Sequence, residues 1–134
     1  MLHDEICTYE LCKLAKEKGF PQHIGDDAYI VENEYDDEYE VGCCYPIQFI
    51  PDYLPTITAP TQSLLQRWLR EEKGLCISVE AYPTLAIMKK VCFAWVVKSR
   101  SDGHFMESND SLLTFFTYEL ALEDALAYSL KNLV

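Results

Sequence analysis

The chain has 134 residues, about half of them apolar, with nine Tyr, six Phe and two Trp. That length suits one domain with one core, and that aromatic content excludes a disordered chain. A formal net charge of −11, from 11 basic and 22 acidic residues, opposes direct nucleic-acid binding and binding to anionic lipid, which both rely on Lys and Arg.

The chain opens Met1-Leu2-His3-Asp4-Glu5, without the cationic start and apolar block of a secretory signal. No apolar run approaches the roughly 18–20 residues of a membrane span. Both features set the expectation of a cytoplasmic protein. A first helix is expected from Asp4 to Lys18, with Ile6, Tyr9, Leu11, Leu14 and Ala15 on one face. Gly19 suits its C-terminal end, and Pro21 stops continuation.

From Gly19 to Gln66 there is no Lys or Arg, while nine acids are present: Asp26, Asp27, Glu32, Glu34, Asp36, Asp37, Glu38, Glu40 and Asp52. Within this stretch, Ala28–Glu32 and Tyr39–Cys44 read as short strands that can form a hairpin. Pro46, Pro51, Pro55 and Pro60 then rule out a helix or a central strand. Their apolar neighbours Ile47, Phe49, Ile50, Tyr53, Leu54 and Ile57 point to an extended connector packed along the domain.

A second helix is expected from Thr61 to Lys73, with Leu64, Leu65, Trp68 and Leu69 as its apolar stripe and Gly74 at its end. Leu75–Tyr82 alternates in the period-2 pattern of a half-buried strand, and Val91–Lys98 reads as its antiparallel partner. Ser99–Ser111 is polar, with Asp102-Gly103 as a turn signal, and Leu112–Phe116 reads as a third strand. A last helix starts after Thr117 and runs Leu122, Leu126, Leu130 and Leu133 down one face. The expected fold is α+β in two layers, an antiparallel sheet of three to five strands with helices on one face. It is one domain over 1–134, in which an acidic, proline-rich segment (20–60) connects helix one to an α-β-β-β-α half (61–134).

Six cysteines (Cys7, Cys12, Cys43, Cys44, Cys76 and Cys92) in a chain with ample apolar residues and no secretory signal read as small core residues, not as a disulfide framework. His3, His23 and His104 are far apart, and no metal-binding, phosphate-binding or nucleophile motif is present, so no catalytic residue, metal or cofactor is expected. Arg67, Arg70 and Lys73 form a small cationic stripe on helix two, the kind of face that touches phosphate in double-stranded-RNA-binding domains, but they stand against a charge of −11.

Three segments carry a resemblance: Leu14-Ala15-Lys16-Glu17-Lys18-Gly19-Phe20, Pro60-Thr61-Gln62-Ser63-Leu64-Leu65-Gln66-Arg67-Trp68-Leu69-Arg70-Glu71, and Tyr118-Glu119 with Ala121-Leu122-Glu123 and Ala125-Leu126. With a strand tryptophan, here Trp95, they resemble small proteins of phages and prophages of gut Bacteroidales that have no assigned activity. The resemblance implies a phage or mobile-element setting inside a bacterial cell and transfers no site residue. The acidic, aromatic stretch from Asp26 to Glu40 departs from the plainer form of that family.

That stretch supplies the candidate site. Tyr29, Glu34, Tyr35, Asp36, Asp37, Glu38 and Tyr39 combine aromatic contact area with charge that steers a basic protein surface. The leading expectation is a non-enzymatic interaction protein. The alternatives are a small enzyme or ligand-binding domain whose site assembles only in the fold, and self-association as a homodimer through the proline-rich arm.

Overall fold

Thr8 decides where the first helix begins. A computed structural model describes residues 5–34, 38–83, 91–109 and 115–134, and only the backbone of residues 82 and 83. In it the Thr8 hydroxyl accepts from the Leu11 N–H, so α1 runs from Tyr9 to Glu17. The helix expected from Asp4 therefore starts later. Ile6 is extended and bridges Thr61, while the Cys7 N–H donates to the Pro60 carbonyl. Leu11, Cys12 and Ala15 are the buried face.

The chain divides into two compact units, Met1–Thr61 and Gln62–Val134. Each builds its own three-stranded antiparallel sheet, so the architecture is mixed α+β.

In the first unit, β1 (Asp27–Ile30) lies between β2 (Cys44–Pro46) and β3 (Thr56–Thr58). β1 pairs with β2 with Ala28 opposite Tyr45, but the partner strand is Cys44–Pro46 and not the expected Tyr39–Cys44, because residues 39–43 are spent on the turn that brings the chain back. The proline-rich segment is more than a connector. It makes a turn of 3-10 helix (Ile47–Phe49) and then returns as β3, with Ile57 opposite Tyr29. Proline still keeps this strand at the sheet edge, where one side needs no ladder. The arm is thus used within its own unit.

The two faces of this sheet are covered differently. On one face the rings of Tyr9 from α1 and Tyr29 from β1 are 5.4 Å apart, and Ile57 is buried. On the other, residues 47–54 lie over Ala28, Thr56 and Thr58. The outer edge of β3 is closed by a side chain. Gln22 Oε1 accepts from the Thr58 N–H at 2.9 Å, and Gln22 Nε2 donates to the Phe20 carbonyl.

In the second unit α2 (Gln62–Lys73) leads into β4 (Leu75–Pro83), which pairs along its whole length with β5 (Val91–Ser99). Gly74, at φ 70°, makes the reversal between helix and strand. The third strand, β6, is Phe105–Ser108. It lies inside the stretch read above as polar turn. Asp102-Gly103 does turn the chain, with the Gly103 N–H donating to Ser99 and the Ser99 N–H to His104. Because the turn closes so tightly, the next residues are already in register to pair. Of the third strand expected at Leu112–Phe116, residues 112–114 lie outside the described residues, and Phe115 makes a single bridge to Phe93.

Thr117 caps α3 (Tyr118–Asn132) by accepting from the Leu120 N–H. Leu65 and Leu69 of α2, Leu122, Leu126 and Leu130 of α3, and Leu75, Ile77, Trp95 and Val97 of the sheet form the core. Each fully buried side chain of this kind stabilises by about 1.5–3 kcal/mol relative to exposure. Trp95 satisfies its indole N–H on Asp124 Oδ2 at 2.8 Å.

The Trp95 and Phe93 N–H groups point toward Asn109 and Phe115, so the even-numbered residues of β5 bond β4. It follows from the register that Leu75, Ile77, Val79 and Ala81 turn their backbone groups to the outer edge. There Gln66 Nε2 donates to the Ile77 carbonyl at 2.8 Å.

Candidate functional site

Charge divides as the fold does. The first unit has thirteen acids and three lysines, a formal −10, and the second has nine acids and eight bases, −1. None of the acids between Gly19 and Gln66 has a basic residue near it in sequence.

The sequence-derived candidates fall into three groups. Tyr29 is half-buried and structural: its hydroxyl donates to the Cys7 carbonyl at 2.6 Å beneath the Tyr9 ring. Tyr39 is half-buried too, donating to the Phe49 carbonyl at 2.7 Å and meeting Tyr45 edge-on at 5.2 Å. Glu34 and Glu38 are exposed. Tyr35, Asp36 and Asp37 lie outside the described residues.

What Tyr39 holds is more informative than Tyr39 itself. Its hydroxyl fixes the turn at Ile47–Phe49 so that the Phe49 ring stands in solvent, 63% exposed, with exposed Glu38, Glu40 and Val41 on the segment that carries Tyr39. The Glu40 N–H donates to the Tyr45 hydroxyl, which sets that segment's course. Asn33 Nδ2 donates to the Tyr39 carbonyl and so ties residues 32–34 to the same place. There Glu32 and Glu34 line a shallow hollow of about 250 Å³ with Tyr53, which is 68% exposed. Among the described residues of the first unit, Phe49 and Tyr53 are the exposed aromatics, and no local signal in the sequence marks them.

On the sheet face covered by residues 47–54 lies a second cavity, of about 210 Å³. Ala28, Ile47, Ile50, Pro51 and Leu54 give it apolar walls, and Gln22, His23, Asp52, Thr56 and Thr58 supply polar groups. His23 is held at φ 65°, in the left-handed region, with its N–H donating to Thr58 Oγ1 at 2.7 Å.

The cysteine chemistry is muted. All six cysteines are free, and Cys7, Cys12 and Cys92 are buried. Burial pushes the Cys44 thiol up to about 11, with the charges of Asp27 and Cys12 adding to it. That is opposite to the shift of an activated thiolate. Among the described residues no group of three His, Cys, Asp or Glu side chains is placed to hold a metal ion. No helix among them is long and apolar enough to cross a membrane.

Two cations of the helix-two stripe, Arg70 and Lys73, are engaged on their own helix. Lys73 lies over the Trp68 ring at 5.3 Å, and Arg70 pairs with Glu71. Arg100 binds Glu71 and donates to the carbonyls of Arg70 and Glu71 at the end of α2. No family model, no curated protein and no solved structure matches the chain.

Proposed function

We propose that the chain is a non-enzymatic interaction protein that binds a basic partner surface through the acidic, aromatic face of its first unit. One observation carries the reading. Phe49 and Tyr53 stand in solvent among Glu32, Glu34, Glu38 and Glu40, in a unit of charge −10. Exposed aromatic side chains present contact area at low entropic cost. Surrounding carboxylates accelerate encounter with a cationic partner and penalise anionic ones. The phage or mobile-element setting in a bacterial cell belongs to the same proposal and rests on the three resembling segments.

The test is capture from bacterial lysate on the immobilised chain at low and high salt, repeated with two variants. Phe49→Ala/Tyr53→Ala removes the aromatic anchors, and Glu38→Lys/Glu40→Lys reverses the local charge. The expected result is a partner lost at high salt through screening. The aromatic variant should bind it at least about 30-fold more weakly, as for hot-spot residues worth about 2 kcal/mol. Capture that is equal in all variants and at both salts overturns the reading.

A further inference from the structure

The cavity beneath residues 47–54 has a chemical bias that its size and surroundings make specific. At about 210 Å³ it is smaller than the roughly 300–1,000 Å³ of sites for drug-sized ligands, so it suits a ligand of few heavy atoms. Its floor is Ala28 and Thr58, both nearly fully buried, and its walls are Ile47, Ile50, Pro51 and Leu54. Of its polar side chains, those of Gln22 and Thr58 are already engaged. Both ends of the Gln22 amide are hydrogen-bonded, and Thr58 Oγ1 accepts from the His23 N–H.

Asp52 is the acidic side chain of the lining. Its carboxylate is exposed, and among the described residues it has no hydrogen bond or ion pair. The sequence offers no Lys or Arg between Gly19 and Gln66 to neutralise it. The first unit's charge of −10 attracts small cations and repels small anions. An apolar slot with a lone carboxylate is complementary to one kind of ligand, a short aliphatic chain ending in a protonated amine.

From this geometry we propose that the cavity is a binding site for an alkylammonium group, with its methylenes against Ile47, Ile50 and Leu54 and its cation on Asp52. Such a group comes either as a free small amine or as a lysine side chain of another protein. The proposal stands apart from the acidic, aromatic face, because the cavity uses neither Phe49 nor Tyr53.

The experiment follows the backbone amide resonances of Ala28, Thr56 and Thr58 in the whole chain at neutral pH. Four probes are titrated: pentylamine, Nα-acetyl-lysine methylamide, the uncharged norleucine counterpart, and pentanoate. Saturable shifts are expected with the two amines, and shifts at least about tenfold weaker with the other two. Asp52→Asn should weaken amine binding about tenfold and leave resonances far from the cavity in place. Pentylamine binding at least as tightly as the lysine derivative identifies a free amine as ligand. Tighter binding of the lysine derivative identifies a protein side chain. Equal binding of the norleucine probe, unchanged binding to Asp52→Asn, or no shift with either amine overturns the proposal.

Discussion

The two units solve the same problem with different means. Both are three-stranded antiparallel sheets, but the second has two nine-residue strands under a row of leucines, and the first has strands of four, three and three residues. Sheets that short present little ladder, so the first unit is fastened by side chains that reach the backbone. Tyr29 reaches Cys7, Tyr39 reaches Phe49, Gln22 reaches Thr58 and Phe20, and Asn33 reaches Tyr39. It also carries nearly all the net charge. The contrast teaches that charge is concentrated on the part whose shape depends least on a large apolar core. There, rings and carboxylates can be set in solvent without disturbing packing.

The largest expected effect tests the core of the second unit. Leu126→Ala removes a fully buried side chain and should cost about 3 kcal/mol. Trp68 and Trp95 both lie in the second unit, so denaturant unfolding followed by tryptophan fluorescence reads that loss directly. A variant that unfolds at the wild-type denaturant concentration breaks the picture of a leucine-built core.

Cys44 tests whether the small sheet of the first unit excludes water. With its thiol raised from 9.0 to about 11, it holds about a hundredfold less thiolate at mildly alkaline pH than an ordinary cysteine. Alkylation followed by peptide mass spectrometry should show Cys44 reacting about a hundredfold more slowly than a cysteine in an unstructured peptide. Reaction at the peptide's rate means that this face is open.

Tyr29→Phe keeps the ring against Tyr9 and deletes only the hydroxyl bond to Cys7. The buried carbonyl then lacks that donor, and the first unit should lose about 1 kcal/mol. Amide hydrogen exchange across residues 27–30 and 56–58 measures it. Unchanged protection there removes the side-chain fastening from the argument.

The smallest effect is a pH dependence in the second unit. The Ser108 N–H and the Tyr128 hydroxyl hold the Glu107 carboxyl below its ordinary 4.5, and Glu107 raises Tyr128 above its ordinary 10.0. A lowered carboxyl contributes stability above 4.5 that disappears as pH falls through its folded value. A raised phenol contributes stability below 10.0 that disappears as pH rises through its folded value. The stability difference between wild type and Tyr128→Phe should therefore be greatest between those limits and shrink outside both. A difference independent of pH rules out this pair as its source.

The sequence announces elements that repeat a pattern often enough. Thr117 with its leucine row marks α3, and the alternation from Leu75 marks β4. It says less where one hydrogen bond decides. The apolar face of helix one extends past its true start because Ile6 is apolar for a strand bridge, and only the Thr8 cap places the boundary. The short strand β6 has too few residues to show a period. At the candidate surface the acids were legible from composition, but which aromatics stay open was not. That depends on where the hydroxyls of Tyr29 and Tyr39 find carbonyls, at sequence separations of 22 and 10.

Gln66 has a consequence beyond the bond it makes. Fibril growth and strand exchange between molecules both begin when a free strand edge recruits a foreign one, rung by rung. On the outer edge of β4, the Ile77 carbonyl is already taken by Gln66, and Pro83 has no N–H to offer. The open run between them shrinks to Val79 and Ala81, too short to seed a templated stack. A single amide on a neighbouring helix of the same unit thus shortens the run of β4 backbone that a foreign strand could pair with.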